Sequence, residues 1–193
     1  MPFWSAANVV PKRNHRFLVT VGGLPVPQYT AKTVSKPVFN VNNVEHNFLS
    51  HKFNFPGMVT WDPVEMTFVD GAGATDNTNS PPVFVSDDSN NAKNFYNAII
   101  GSGYLAPANM DATTSRTFNK SAATFALGSV LIQQIGDDST VLDEFQLVNP
   151  WLEKIDFGSL SYEDDGITEI SVTFRYDYAL FGGINATSTT LVG

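Results

Sequence analysis

The chain has 193 residues, of which 42% are hydrophobic and only 16% charged, with a net charge of -8 and no cysteine. That is enough chain for one domain with a real core. It excludes a disulfide framework and a thiolate zinc site, and the acidic balance argues against binding duplex DNA by phosphate neutralisation.

Fifteen Phe and six Tyr, with Asn, Thr, Ser and Gly standing in for charge, favour strands over helices. The leader, residues 1–14, has no periodic apolar pattern, and Lys12 and Arg13 follow "MPFWSAANVV" instead of preceding an apolar run, so it does not read as a secretory signal. No apolar run approaches the ~18 residues of a membrane-spanning helix, so no membrane is expected. A single domain is expected over 15–181. "HRFLVTVGG" reads as its first strand, closed by a Gly-Gly turn. "AKTVSKPVFNV" is a broken strand with a kink at Lys36-Pro37. "NNVEHN" reads as a polar hairpin tip, followed by an alternating strand in "FLSHKFNFPG". "VEMTFV" alternates again, and "GAGATDNTNSPP" is a loop by composition.

One helix is expected near 90–100, capped by Asp87, Asp88 or Ser89, with Phe95, Tyr96 and Ile99 inward and Gly101 and Gly103 as its stop. Residues 105–123 read as a surface insertion, and "ATFALGSVLIQQI" as a strand paired through "GDDSTV" with "LDEFQLVNPWL". "EKIDFGSLSY" and "ITEISVTFRYDY" are joined by "EDDG", an Asp-Gly hairpin signal. The last strand alternates over many residues. Ile170, Val172, Phe174, Tyr176, Tyr178 and Leu180 share one face, and Glu169, Ser171, Thr173, Arg175, Asp177 and Ala179 the other. Residues 182–193 form a polar tail. Together these elements predict an all-β protein, a β-sandwich or barrel with one flanking α-helix.

Catalytic chemistry finds little support. His15, His46 and His51 are the only histidines, and the last two, five positions apart, point to opposite faces of a regular strand. No metal site is expected. Asp137-Asp138 and Asp164-Asp165 are adjacent pairs in turns, where carboxylates splay into water instead of forming an acid-base couple. No nucleophile elbow, P-loop or dinucleotide fingerprint occurs. The expectation is no enzyme, no catalytic residue and no cofactor.

Charge is unevenly placed. Eleven acidic residues lie between Asp137 and Asp177 against Lys154 and Arg175, whereas the first sixteen residues carry Lys12, Arg13 and Arg16 and no acid. The ends could be complementary in an assembly, or simply solvated.

The run "HRFLVTVGG", "KPVFNVNNVEHN", "HKFNFPGMVTWDPVEMTFVD" and the closing half from "VLIQQIGDDSTV" to "FRYDY" resemble the tail tube proteins of contractile-tailed bacteriophages in strand order and turn chemistry. The leader, the 105–123 insertion and the C-terminal tail depart from that pattern. The resemblance implies a structural virion protein assembled in the host cytoplasm. It implies hexameric rings stacked into a hollow tube inside a sheath, with hairpins joined in a shared inner β-barrel. Implied partners are further copies of the chain, the tail sheath, the baseplate or initiator and the tail terminator. The tape measure protein and the genomic DNA would pass through the lumen without specific binding.

If the polar faces of the Asn40–Asn54 and Trp151–Asp177 hairpins line the channel and their apolar faces look into the core, the lumen residues are Asn40, Asn42, Lys52, Asn54, Ser171, Thr173, Arg175 and Asp177. A register slip of one would invert each set. Lys12 and Arg13 would then meet Asp137 and Asp138 of a neighbour. Two other classes remain open at this point: a tube subunit of a tailocin or secretion machine, and a monomeric ligand-binding β-sandwich.

Overall fold

The computed structural model describes residues 11–71, 75–76, 83–84, 90–107, 117–163 and 165–182. Its strands are β1 (Phe17–Val21), β2 (Ala31–Val34), β3 (Phe39–Phe48), β4 (His51–Trp61), β5 (Val64–Val69), β6 (Thr75–Asp76), β7 (Val83–Phe84), β8 (Val130–Ile135), β9 (Val141–Val148), β10 (Trp151–Asp156), β11 (Glu169–Arg175) and β12 (Tyr178–Gly182). Its helices are α1 (Asn91–Gly101) and α2 (Lys120–Leu127). Two four-stranded sheets, ordered β1-β8-β9-β12 and β10-β11-β5-β2, carry the fold, and β3-β4 and β6-β7 form separate pairs.

The core lies between the two sheets. Val19, Val21, Val130, Ile132 and Leu147 come from the first, and Val64, Met66, Phe68, Ile170, Val172 and Phe174 from the second. All are period-two positions, so alternation alone sorts them inward. α1 adds Phe95, whose ring centroid is 5.2 Å from that of Phe68 and 6.4 Å from that of Phe174. The Asn91 side-chain amide fixes the helix by donating to the Val69 carbonyl at 2.7 Å.

The expected helix is present, but Asn90 caps it, accepting from the Lys93 amide at 2.9 Å. The three proposed caps, residues 87–89, lie outside the described residues. Inward positions are Asn91, Asn94, Phe95 and Ala98, while Tyr96 is exposed. Gly103, at φ 105, ends the helix as expected, its amide returning to the Ile100 carbonyl.

The second helix corrects the sequence reading. Lys120–Leu127 was expected to be partly insertion and partly strand. Asn119 caps it by accepting from the Ala122 amide at 2.7 Å, and Gly128, at φ 67, stops it. A β-carbon on Gly128 would stand 2.6 Å from the Gly23 amide nitrogen, so the Gly-Gly turn after β1 and the end of α2 require each other's lack of a side chain.

The long C-terminal alternation is also not one strand. β10 and β11 pair from Trp151↔Arg175 to Asp156↔Ser171, and β9 and β12 from Val148↔Tyr178 to Glu144↔Gly182. Only Asn149-Pro150 and Tyr176-Asp177 separate these pairings. A single ribbon therefore serves both sheets and bends between them. Before the bend Ile170, Val172, Phe174 and Tyr176 are buried as expected; after it Tyr178 and Leu180 are exposed and Ala179 packs on the core. Length and strict alternation are explained by this double duty. The expected tight Asp-Gly turn between β10 and β11 is replaced by a longer connection, residues 157–168.

A polar latch holds the bend. Asn149 takes a left-handed conformation at φ 53, and its amide donates to Asp177 Oδ2 at 2.8 Å. Lys120 Nζ reaches the same carboxylate at 2.5 and 2.7 Å. Hydrogen bonding from Lys120, then from Asn149, holds the Asp177 carboxyl below its ordinary range. A depressed folded-state value stabilises the fold above the ordinary carboxylate value and is lost as pH falls through the folded one. Melting temperature should therefore drop more steeply below about pH 4 in the wild type than in Asp177→Asn. Parallel curves would show that the latch adds nothing to stability.

Candidate assembly surface

The β3-β4 hairpin stands apart from both sheets. Its register runs from Phe39↔Trp61 to Phe48↔His51, with an irregularity between Val41 and Asn43. The tip is Leu49-Ser50, with Leu49 at φ 55 and 92% exposed. The polar "NNVEHN" is thus paired strand, not the tip. None of the hairpin's residues is buried, and only Gly57 and Trp61 reach half-burial.

Pairing sorts the arm into two faces, and the irregularity moves the apolar side from one to the other. β4 takes three residue steps, Val59 to Pro56, against two in β3, Val41 to Asn43, so β3 alternates without a break. One face carries Phe39 and Trp61 with Val41 and Val59 at the base and continues toward the tip as Asn43, Glu45 and Asn54, and Asn47 and Lys52. The other carries Asn40 and Thr60 at the base and continues as Val44 and Phe55, His46 and Phe53, and Phe48 and His51, an apolar distal face. The polar distal face is internally bonded, Lys52 to Glu45 at 3.1 Å and Asn43 to Asn54 at 3.0 Å, while Asn40 bonds Asp62 at 3.0 Å on the other side. The apolar face was expected to look into the subunit's own core. It looks out instead, because the arm extends past the end of the sandwich. Only the base of the arm joins the interior, where Phe39 stacks near Trp61 at 5.3 Å and Trp61 near Tyr176 at 5.9 Å. Tyr176 donates its hydroxyl to the Asp62 carbonyl at 2.8 Å. Burial, then the nearby Asp62 charge, pushes the Tyr176 phenol up to about 12, so this donor stays protonated.

Of the other sequence candidates, Ser171, Thr173 and Arg175 lie on the outward face of the second sheet, opposite the core. Ser171 and Thr173, with Glu65, Thr67, Lys154 and Asp156, line a shallow polar concavity. Arg175 bonds Glu153 at 2.7 Å, which raises the guanidinium further, and Lys32 bonds Glu169. Acids on this face are therefore largely offset by bases, and the face is nearer to neutral than the sequence suggests. Asp177 does not share it, since it sits at the bend beyond β11 and belongs to the latch. Lys52 and Asn54 share the hairpin's polar distal face, whereas Asn40 lies on the opposite face and Asn42 sits exposed at the irregularity.

Lys12 and Arg13 find partners within their own chain. Lys12 Nζ is 2.5 Å from Asp143 Oδ2, and the Arg13 carbonyl accepts from the Gln134 side chain at 3.2 Å. Asp138 shapes its own turn, accepting from the Thr140 hydroxyl at 2.6 Å and from the Thr140 amide at 3.1 Å, which lowers its carboxyl. Asp137 has no bond in the structure that would assign it a role. Among the described residues no group of three or more His, Cys, Asp and Glu could hold a metal ion, and no helix is long and apolar enough to cross a membrane.

No family model matches the sequence, and no curated protein matches it. Solved structures do match in fold. A chain of the sheath/tube terminator of the PVC extracellular contractile injection system, in its extended state, superposes with a TM-score of 0.60 at 14% identity, covering 92% of this chain and 100% of that one. A chain of the anti-feeding prophage tube-terminating cap gives 0.60 at 15% identity, covering 95% and 99%. A chain of the anti-feeding prophage baseplate, six-fold symmetrised, gives 0.59 at 12% identity, covering 92% and 99%. The chain therefore has a fold found in the tube-bearing assemblies of contractile injection systems. The likeness spans nearly the whole chain.

Proposed function

We propose that this protein is a structural tube subunit that stacks as hexameric rings inside a contractile sheath. The observation that carries the proposal is the free-standing β3-β4 arm, whose exposed Val44, Phe48, Phe53 and Phe55 share a distal face with no core of its own to cover. A soluble monomer rarely keeps a contiguous apolar patch of that extent, and a neighbour that covers it converts the patch into interface. Closing neighbouring sheets into a shared barrel also removes the open edges at β10, β12 and β2. The fold match to parts of injection systems, one of them six-fold symmetrised, supports the ring reading.

In this assembly the channel is lined by the polar face of the arm and the outward face of β10-β11-β5-β2. That face is rich in Ser and Thr and its acids and bases nearly balance in number, so a polyanion passing along it meets neither a phosphate-binding stripe nor a strong field. The phage tail is the first reading, with the genome, tape measure, sheath, baseplate and terminator as partners and the virion as location. A tailocin or secreted injection machine is the second, favoured by the matched structures. A tube map tests the orientation. Ser171, Thr173 and Arg175 should face the channel and α1 should not; α1 on the lumen wall would overturn it. The leader, 1–14, is assigned no clamp on a neighbour, because Lys12 is already paired with its own Asp143.

A further inference from the structure

Along a single strand His46 and His51 would diverge. The turn at Leu49-Ser50 places them on paired strands instead, with His46 opposite Phe53 and Phe48 opposite His51. Both imidazoles therefore sit on the apolar face, in a checkerboard with Phe48 and Phe53. The His51 ring lies 5.5 Å from that of Phe53. Neither imidazole has a hydrogen-bond or ion-pair partner among the described residues, and the nearest charges, Glu45 and Lys52, bind each other on the opposite face.

We propose that this face seats on a second copy of the chain only while His46 and His51 are both neutral, so that the contact is gated by protons. The inference rests on the self-assembly reading above and adds its regulation.

Two features name a second copy as the occupant. The three phenylalanines of the face, Phe48, Phe53 and Phe55, are 44–61% exposed. With a full aromatic side chain worth roughly 150–250 Å², they and the neighbouring Val44 offer on the order of 400 Å², about half of the roughly 800 Å² that each partner gives to a stable interface. Eleven residues of β4, at a rise of about 3.3 Å each, carry the tip roughly 35 Å from its base, away from the sandwich it grows from.

Placing an unpaired imidazolium in such a contact leaves a charge desolvated without compensation. Histidine is the side chain whose ordinary charge change falls between about pH 5 and about pH 8, so a contact that needs two neutral imidazoles is expected to weaken about 100-fold between about pH 7.5 and about pH 5.5. General electrostatics runs the other way. The chain carries a net charge of -8 near neutrality with a pI near 4.6, so acidification reduces self-repulsion and on that ground favours association.

The test measures the critical concentration for assembly of the full chain by sedimentation, at about pH 7.5 and about pH 5.5 and constant ionic strength. The wild type should need about 100-fold more protein at the lower pH. H46Q/H51Q should change little, and each single variant should shift about 10-fold, with circular dichroism at both pH values checking the fold. Assembly of the wild type that is equal or stronger at the lower pH would overturn the gate and leave the tube reading intact. So would a wild-type shift that the folded double variant fully retains. No assembly of the wild type at either pH would overturn both.

Discussion

Phe174→Ala is expected to cost about 3–5 kcal/mol of folding stability. Its side chain is fully buried on β11, with Leu152 of β10 and Val64 of β5 as its lateral partners. It also meets Phe95, the one aromatic that α1 contributes to the core. Truncation opens a cavity where sheet and helix meet, and the bend at Tyr176-Asp177 prevents β11 from sliding to fill it. Thr173→Ala, one residue away on the outward face, should change stability by less than about 0.5 kcal/mol. Urea unfolding of dilute, unassembled protein measures both. A Phe174→Ala midpoint close to the wild type's would show that the faces of β11 have been assigned the wrong way round.

The second large effect is on assembly, not on folding. Phe53→Glu with Phe55→Glu places two carboxylates on the arm's apolar face. Both side chains are exposed in the subunit, so its melting temperature should barely move. In a docked contact each carboxylate would be desolvated without a partner, at several kcal/mol apiece. Even about 4 kcal/mol in total corresponds to roughly 1000-fold weaker association. Tubes should disappear while the monomer stays folded. Tubes of ordinary length from this variant would mean that the arm is decoration.

How much of this was legible in the sequence depends on the element. The core strands were, because Val64, Met66, Phe68 and Ile170, Val172, Phe174 alternate without interruption. α1 was, because Gly101 and Gly103 punctuate it. α2 was not. Its eight residues are flanked by an aperiodic insertion and a genuine strand, and only the Asn119 cap and Gly128 mark its limits. The bend was hidden because Tyr178 and Leu180 keep the period of the preceding strand while the chain changes sheets beneath them. The hairpin tip was missed because Leu-Ser is not a turn pair that composition flags, and Leu49 takes its left-handed conformation without glycine. That miss separated His46 from His51 on paper and hid the feature of the arm with the most distinctive chemistry. The polar candidates fared unevenly for the same reason. Ser171, Thr173 and Arg175 follow strand period and share a face, whereas Asp177 lies past the bend and Lys12 and Asp138 are occupied within their own subunit.

The central claim is that the subunit's apolar arm makes it a tube-former. Negative-stain electron microscopy of the purified, concentrated wild-type protein near neutral pH tests this most directly. Rings with a central hole, or hollow tubes built from them, are the expected result. A field of single, separate subunits, unchanged when an initiator from the same assembly is added, would contradict it.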